Sequence, residues 1–238
     1  MMITEKLFTG PAITGWLDDM ATLRLDIFEE YPYLYQGQRG DELNYLGTYA
    51  KAPDACVMLA YHGSAIIGAA TGMPLIHEDA KMLDAFAGTA LPLDEIYYVG
   101  ELLFRPAYRN SGLGLKLLGQ MENHIRSLDH YRQLTCATVE RPDDHPLRPR
   151  DYIPITRFLA RTGFVQLPGV TAYFTWLETD GSKRDHPMQF WIKDFCSIAC
   201  SCTVVKTSCL RQDPLNCKMG ILQDRVATSG VLFQRFSN

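Results

Sequence analysis

The stretch EIYYVGELLFRPAYRNSGLGLKLLGQMENHIRSL, residues 95–128, decides the fold of this chain. Its apolar run Ile96–Phe104, rich in aromatic and branched residues, predicts a buried β-strand. The turn 109–114 follows, and an amphipathic helix begins at its end. A strand, a glycine turn and a helix N-terminus together present several main-chain N–H groups to one anion, with the positive end of the helix dipole behind them. The sequence therefore predicts a site for a phosphate-bearing cofactor at this turn.

The helix is predicted from the spacing of its apolar residues. Five of them recur at intervals of three or four positions and form one stripe: Leu113, Leu117, Met121, Ile125 and Leu128. The polar residues of the segment lie off this stripe. Gly112 and Gly114 lack a Cβ atom, so a ligand can approach the main chain of the turn closely.

Two familiar nucleotide-binding motifs do not fit the turn. A dinucleotide-binding turn requires G-x-G-x-x-G, and Leu117 occupies the third glycine position. A P-loop requires G-x-x-x-x-G-K-[ST]; Gly114 and Gly119 have that spacing, but Gln120 and Met121 follow them. The remaining pattern is Arg-x-x-Gly-x-Gly directly after a strand.

Composition bounds the class of protein. The chain has 238 residues, of which 47% are hydrophobic and 21% charged, as in ordinary globular proteins. No apolar stretch approaches the roughly 18 residues that span a bilayer, and the N-terminus MMITEKLFTG lacks the apolar core of a secretory signal. We expect a cytoplasmic protein that does not bind membranes.

Charge is divided unevenly along the chain. The net charge is −4, and residues 196–238 carry +3, which leaves about −7 on residues 1–195. An acidic body is unsuited to nucleic acid, whose phosphates require a basic face. It favours a cationic amine as the partner.

Cysteine crowds into the C-terminal tail. Cys56 and Cys136 lie in strand-like runs and are interpreted as small core residues, whereas five of the seven cysteines fall within residues 196–217. No histidine lies among those five and no C-x-x-C pair occurs, so we predict no metal site. Residues 1–195 are predicted to form one domain. The Cys-rich tail, residues 196–238, is assigned no role, and a disordered extension is one interpretation of it.

The remaining elements follow from periodicity and turn signals. Helices are predicted over 11–30, 42–50, 79–87, 113–128 and 154–161, and strands over 56–61, 65–73, 96–104, 133–139, 170–177 and 188–192. A loop dense in proline and charge spans 141–150. This order is typical of an α/β fold with a central mixed sheet.

Two stretches of the sequence carry a family resemblance. The pattern Arg109-x-x-Gly112-x-Gly114 after a strand resembles the acetyl-CoA pyrophosphate loop of the GNAT N-acetyltransferase superfamily. The stretch DYIPITRFLARTGF, residues 151–164, is similar to the fourth helix of that superfamily, which ends in a Gly-Phe pair. The order of elements also matches, over about residues 3–195. The resemblance implies a GNAT-like (acyl-CoA N-acyltransferase) fold, which is α/β with a central mixed, mostly antiparallel sheet flanked by helices.

The resemblance also implies an activity and a cofactor. Family members transfer the acetyl group of acetyl-CoA to a primary amine, and the amine attacks the thioester directly. Two sets of residues are then expected to bind the cofactor: Leu102, Leu103 and Phe104 through main-chain pairing with the pantetheine arm, and Arg109, Asn110, Ser111, Gly112, Leu113 and Gly114 at the pyrophosphate. Two other interpretations remain open: a GNAT-like module that binds acyl-CoA without catalysis, and a turn that binds another phosphate ligand.

The catalytic acid and base are predicted from residue type and position. Glu101 is the leading candidate for the base because it is a carboxylate in an otherwise apolar strand at the site. Tyr98 is a weaker alternative, and deprotonation relayed by a water molecule is another. A β-bulge can change the face on which Glu101 lies. Many family members place a tyrosine acid four residues before the glycine of the Gly-Phe pair; that position is Leu159, so Tyr152 at the entry to the same helix is predicted instead.

The acceptor surface is expected in the least regular parts of the chain, namely 29–37, 78–95 and 141–150. Six acidic residues there are candidates to recruit a cationic small-molecule or peptide amine: Glu29, Glu30, Glu78, Asp79, Asp84 and Asp94. The sequence leaves the identity of the acceptor and a homodimer open.

Overall fold

One mixed β-sheet organises the part of the chain that the computed structural model describes, residues 2–194 and the backbone of residues 231–232. The strands are β1 (Ile3–Thr9), β2 (Cys56–His62), β3 (Ala65–Pro74), β4 (Ile96–Phe104), β5 (Gln133–Val139), β6 (Val165–Leu177), β7 (Lys183–Asp194) and β8 (Val231–Leu232). The helices are α1 (Leu17–Phe28), α2 (Arg39–Tyr49), α3 (Ala80–Asp84), α4 (Leu113–Ser127) and α5 (Thr156–Arg161).

The order of strands in the sheet is β1-β2-β3-β4-β5-β7-β6. Every neighbouring pair on this path is antiparallel except β4 and β5, which run parallel. The predicted α/β fold with a mixed, mostly antiparallel sheet is therefore confirmed. The parallel pair follows from α4, because a helix between two strands returns the chain to the same end of the sheet.

The parallel strands β4 and β5 pair over only part of their length. Residues Ile96–Tyr98 of β4 face 133–135 of β5, and no further pairing between the two strands is seen. Beyond Tyr98 the two strands therefore form a fork at the centre of the sheet. The short strand β8 pairs antiparallel with Leu102 and Leu103 on β4, inside this fork.

Helices cover both faces of the sheet. Leu102 and Phe104 point toward α4 and α5, where they lie near Gly114 and Phe158. Glu101 points the other way, toward α1 and α2. The continuous burial of β4 follows from these two layers, because a central strand covered on both faces has no polar side.

The sequence prediction missed β1 and began the first helix too early. None of the seven residues of Ile3–Thr9 is fully buried, so the strand has only a weak alternating pattern, and among the described strands it pairs only with β2. The segment Gly10–Trp16, which has Pro11 near its N-terminus, is a 3-10 helix that precedes α1. Strands β6 and β7 are longer than predicted, and β6 continues through an irregular register between Gln166 and Thr171.

Two further observations concern the described residues alone. None of their helices has the length and apolar character needed to cross a membrane. Nor do they contain a group of three or more His, Cys, Asp or Glu side chains placed to hold a metal ion. The buried thiols Cys56 and Cys136 are free, whereas the predicted Cys-rich tail lies outside the described residues apart from the backbone of β8.

Candidate active site

The predicted phosphate turn leads into the N-terminus of α4. Asn110 (φ 63°) and Gly112 (φ 82°) both adopt left-handed backbone conformations, and Gly112 is the N-cap residue of the helix. No side chain caps this end, and a main-chain bond of 3.1 Å runs from Lys116 N–H to the Gly112 carbonyl. The N–H groups of residues 113–115 therefore precede the first intrahelical donor and have no acceptor within the helix. Together with the dipole of a 15-residue helix, they can bind an anion.

The side chain of Arg109 supports this turn through hydrogen bonds and an ion pair to neighbouring elements. Its Nε donates to the Phe104 carbonyl at 2.8 Å, and its Nη1 pairs with the Glu30 carboxylate at 2.6 Å. Nη2 is buried with no hydrogen-bond partner among the described residues. The guanidinium thus ties the turn to the end of β4 and the end of α1, and the main chain faces the predicted phosphate site.

Glu101 lies in a buried ionic cluster and is fully covered. One of its carboxylate oxygens pairs with Arg24 of α1, and the other accepts a hydrogen bond from Thr71 of β3. Arg24 also pairs with Glu42 of α2, so one guanidinium joins two carboxylates. Tyr98, the weaker candidate for the base, is fully buried as well, and burial raises its pKa well above the usual value.

A β-bulge turns Glu101 toward this cluster. Thr71 pairs with Glu101, while the next residue of β3, Gly72, pairs with Val99, so that Gly100 is the extra residue. A Cβ atom on Gly100 would meet the hydroxyl groups of Tyr49 and Thr71, which shows that Gly100 and Glu101 face the same side. Two successive residues on one face are typical of a bulge.

A cavity of about 390 Å³ lies where β5 ends. Thr138 and Val139 of β5, which pair with β7 and lie beyond the part of β5 that pairs with β4, contribute to its wall, so the cavity borders the fork. Its other walls come from the segment after α1, from the loop before α5, and from Gln166 of β6 and Trp191 of β7. The segment and the loop contribute Tyr31, Pro32, Tyr33, Glu140, Arg141, Asp143, Arg148 and Tyr152. Two of the three segments predicted to form the acceptor surface therefore meet here.

The rings of Tyr31 and Tyr152 stand perpendicular to each other, with centroids 4.7 Å apart. Burial, with a further contribution from Tyr31, raises the pKa of Tyr152 to about 12. The phenol is consequently protonated at neutral pH and can donate a proton. Arg148 lies above the Tyr152 ring at 5.6 Å and pairs with the exposed carboxylate of Asp143.

The acidic residues predicted to recruit the acceptor are placed elsewhere. Among the residues that line the cavity, the carboxylates are Glu140 and Asp143, and the segment 78–95 contributes none. Glu30 pairs with Arg109, and Glu78 is buried.

A family model described as Acetyltransferase (GNAT) family matches residues 17–147, more than half of the chain. This chain belongs to the GNAT acetyltransferase family. The match includes α1, the fork strand β4, the phosphate turn and α4, and β5. It does not extend over β1, α5, β6, β7 or β8.

Solved structures share the fold of this GNAT domain at low sequence identity. The Salmonella typhimurium protein YncA with its cofactor acetyl-CoA has a TM-score of 0.53 and 12% identity, and the match covers 82% of this chain and 95% of that one. A GNAT acetyltransferase of Staphylococcus aureus Mu50 has a TM-score of 0.53 and 14% identity, with 82% and 100% covered. Arabidopsis thaliana NAA60 in complex with a bisubstrate analogue has a TM-score of 0.53 and 13% identity, with 82% and 99% covered. No curated protein sequence matches the chain.

The GNAT fold brings together residues that sequence reasoning did not connect. Arg24 lies four residues after Met20 and three before Ile27, so it sits on the apolar stripe of the first helix. A charged residue on such a stripe signals a buried ion pair, and this signal was available in the sequence. Leu159, at the usual tyrosine position, is buried in the core, and Tyr152 lines the cavity.

Proposed function

We propose that this GNAT protein is an acetyl-CoA-dependent N-acetyltransferase that acetylates a primary amine of a small molecule or peptide. The observation that carries the proposal is the fork between β4 and β5. The uncapped N-terminus of α4 lies on one side of the fork, and the aromatic cavity borders the fork at the end of β5. A thioester in the fork would be reached from the cavity by the acceptor.

In this proposal the main chain binds the cofactor. The N–H groups of Asn110–Gly114 hold the pyrophosphate, where the helix dipole adds to their partial charges. The main chain of Leu102–Phe104 pairs with the pantetheine arm, and an N–H of this segment faces the thioester oxygen, where negative charge develops. Arg109 supports the turn through Phe104 and Glu30.

We expect β8 to compete with the cofactor, because it pairs with Leu102 and Leu103, which the pantetheine arm would also use. Replacing both Val231 and Leu232 by proline removes two main-chain N–H groups and should prevent the pairing of β8 with β4. Acetyl-CoA should then bind several-fold more tightly, because molecules in which β8 is paired no longer reduce the fraction that can bind the cofactor. Calorimetric titration measures the dissociation constant. The matched control, both residues replaced by alanine, keeps the N–H groups and should bind as the wild type does. Equal affinity of all three proteins would contradict the competition.

The chemical step is a direct attack. The amine nitrogen forms a bond to the thioester carbonyl carbon, the C–S bond breaks, and the leaving thiolate takes a proton. We propose Tyr152 as the donor of that proton, because its phenol lines the cavity and stays protonated at neutral pH. Glu101 is proposed as the group that accepts the amine proton, through a water molecule since both of its oxygens are engaged.

The acceptor, in this proposal, is a cationic amine that enters the cavity as an ammonium ion. Tyrosine faces and the carboxylate of Glu140 attract such a group, whereas Asp143 is paired with Arg148. Acetyl-CoA is the only cofactor that the proposed reaction uses. We place the catalytic GNAT domain at residues 1–195 and the reaction in the cytoplasm, as the sequence predicts.

Thiol release from acetyl-CoA in the presence of a panel of small amines and free N-terminal peptides tests the proposed function. Wild type should release thiol with at least one of these acceptors. Glu101→Gln and Tyr152→Phe should each slow turnover by tenfold or more, about 1.4 kcal/mol of barrier. The absence of turnover across the whole panel would contradict the proposed activity.

Two matched controls separate chemistry from folding in this experiment. Thr71→Val removes a hydrogen bond to Glu101 but keeps the carboxylate, and Tyr31→Phe removes the other phenol that meets Tyr152. Both should retain turnover within a few-fold of wild type. If Glu101→Gln and Tyr152→Phe behave like these controls, the two roles are wrong even where the activity is present.

A second candidate function is a GNAT module that binds acyl-CoA without catalysis. It is favoured by Leu159 at the usual tyrosine position and by the complete burial of Glu101. Thermal stabilisation by acetyl-CoA without thiol release for any amine would establish this alternative.

A further inference from the structure

The segment 31–36, between α1 and α2, supplies one wall of the acceptor cavity through Tyr31, Pro32 and Tyr33. It has no regular secondary structure, apart from the isolated bridge between Tyr35 and Glu178. Main-chain bonds hold several of its N–H groups: those of Tyr33 and Leu34 donate to the Glu30 carbonyl at 3.1 and 3.0 Å, and that of Gln36 donates to the Leu177 carbonyl at 2.8 Å. The carbonyls of Pro32 and Tyr33 are directed elsewhere.

Arg141, at the start of the loop before α5, binds both of these carbonyls. Its Nε donates to the Pro32 carbonyl at 2.7 Å, and its Nη2 donates to the Tyr33 carbonyl at 2.8 Å. Its Nη1 pairs with Glu178, next to the end of β6. The side chains of Arg141 and Glu178 are only 7% and 3% exposed. Loss of these bonds would therefore leave buried polar groups without a partner, which is costly.

A guanidinium group suits this position because its donors form a rigid planar fork. Three acceptors from two separate segments are bound at once, and the Trp176 indole donates a further bond to the Tyr33 carbonyl at 3.1 Å. We infer that Arg141 is a positioning residue that fixes the Tyr31–Tyr33 wall of the cavity and thereby determines acceptor binding. The inference rests on the proposed function for its effect on acceptor binding, but the fixing of the wall stands on the contacts alone.

Glu178 has a second cation, and this provides a matched control. Arg184, whose side chain is 49% exposed, also pairs with Glu178 but binds neither carbonyl. His186 stacks on Trp176, with ring centroids 3.6 Å apart, and burial together with nearby Arg141 lowers its pKa to about 4. The imidazole is therefore neutral at pH 7 and does not substitute for either arginine. Arg184→Gln removes an ion pair of Glu178 and leaves the cavity wall fixed.

The kinetic test compares Arg141→Lys with Arg184→Gln and wild type on the best amine of the panel. Lysine keeps the charge beside Glu178 but cannot bind three acceptors in one plane. Arg141→Lys should raise the amine KM about tenfold or more, while the acetyl-CoA dissociation constant stays within about twofold. Arg184→Gln should change neither constant by more than about twofold. An unchanged amine KM in Arg141→Lys, or an equal loss of affinity for both substrates, would overturn the inference.

Hydrogen exchange supplies a readout that does not require activity. Arg141→Lys should speed amide exchange in segment 31–36 and leave the exchange of β4 and β5 at the wild-type rate. Trp176→Phe removes one donor to the Tyr33 carbonyl and should produce the same pattern to a smaller extent. This variant provides the test if Arg141→Lys does not fold. Wild-type exchange of segment 31–36 in both variants would overturn the fixing of the wall. Failure of wild type to release thiol would instead count against the proposed function.

Discussion

Replacing Arg24 by methionine is expected to lower the free energy of unfolding by about 3–5 kcal/mol, the cost of removing one partner from a buried ion pair. Arg24 is fully buried and is the cation that joins Glu42 and Glu101. Its guanidinium also lies 4.4 Å from the centroid of the Tyr45 ring. Methionine fills much of the same volume but leaves two carboxylates in the interior without their cation.

Urea unfolding followed by circular dichroism measures this effect. Arg39→Met is the matched control, because Arg39 pairs with Asp18 at the surface, where the side chains are 50% and 74% exposed. An exposed pair of this kind contributes about 0–1 kcal/mol, so this control should unfold close to the wild-type midpoint. A loss below about 1 kcal/mol in Arg24→Met would show that the cluster does not hold two ionised carboxylates.

Replacing Gly112 by aspartate is expected to weaken acetyl-CoA binding by about 30-fold or more, about 2 kcal/mol, through repulsion between the new carboxylate and the pyrophosphate. No heavy atom lies within 4 Å of a Cβ built on Gly112, so the side chain fits without a steric clash. Aspartate is also one of the residues that adopt a positive φ more readily than most, which limits the strain at this position. Loss of binding would therefore not reflect loss of the helix.

Gly112→Ala is the control for this substitution, because alanine has the same strain at φ 82° without the charge. It should bind acetyl-CoA within a few-fold of wild type, as measured by calorimetric titration. Equal binding by Gly112→Asp and wild type would show that the pyrophosphate does not bind at this turn. Gly114 is a poorer position for the test. A Cβ there contacts Leu102, Phe104 and Phe158, so aspartate would place a charge against apolar side chains and lower stability as well.

The elements at the centre of the fold were predictable from local signals. The strand Ile96–Phe104 and the strand Gln133–Val139 have the predicted bounds, and α4 begins at the predicted Leu113. A continuous apolar run, a proline after it and a glycine before a helical stripe each act over a few residues, so these signals survive without tertiary context. The edge strand β1 was missed because its half-exposed residues carry no such signal and its pairing with β2 is non-local.

Local signals also predict one part of the candidate site and not the other. The glycine turn and its helix are contiguous in the chain, so residue types and spacing sufficed to predict them. The acceptor cavity joins Tyr31 to Tyr152 and Arg141 to Pro32, which are more than a hundred residues apart. No periodicity encodes such contacts, because they depend on how the loops at the ends of the strands fold back over the sheet.

The sequence by itself determined the strand–turn–helix unit, the order of the elements and the family resemblance, because these rest on residues that are neighbours in the chain. Only the tertiary structure decided what surrounds Glu101. The bulge at Gly100 depends on pairing with β3, and it turns the carboxylate toward Arg24, 77 residues away. The direction of a strand side chain is set by the partner strand, and its neighbours by the opposing layer, so both are properties of the assembled fold.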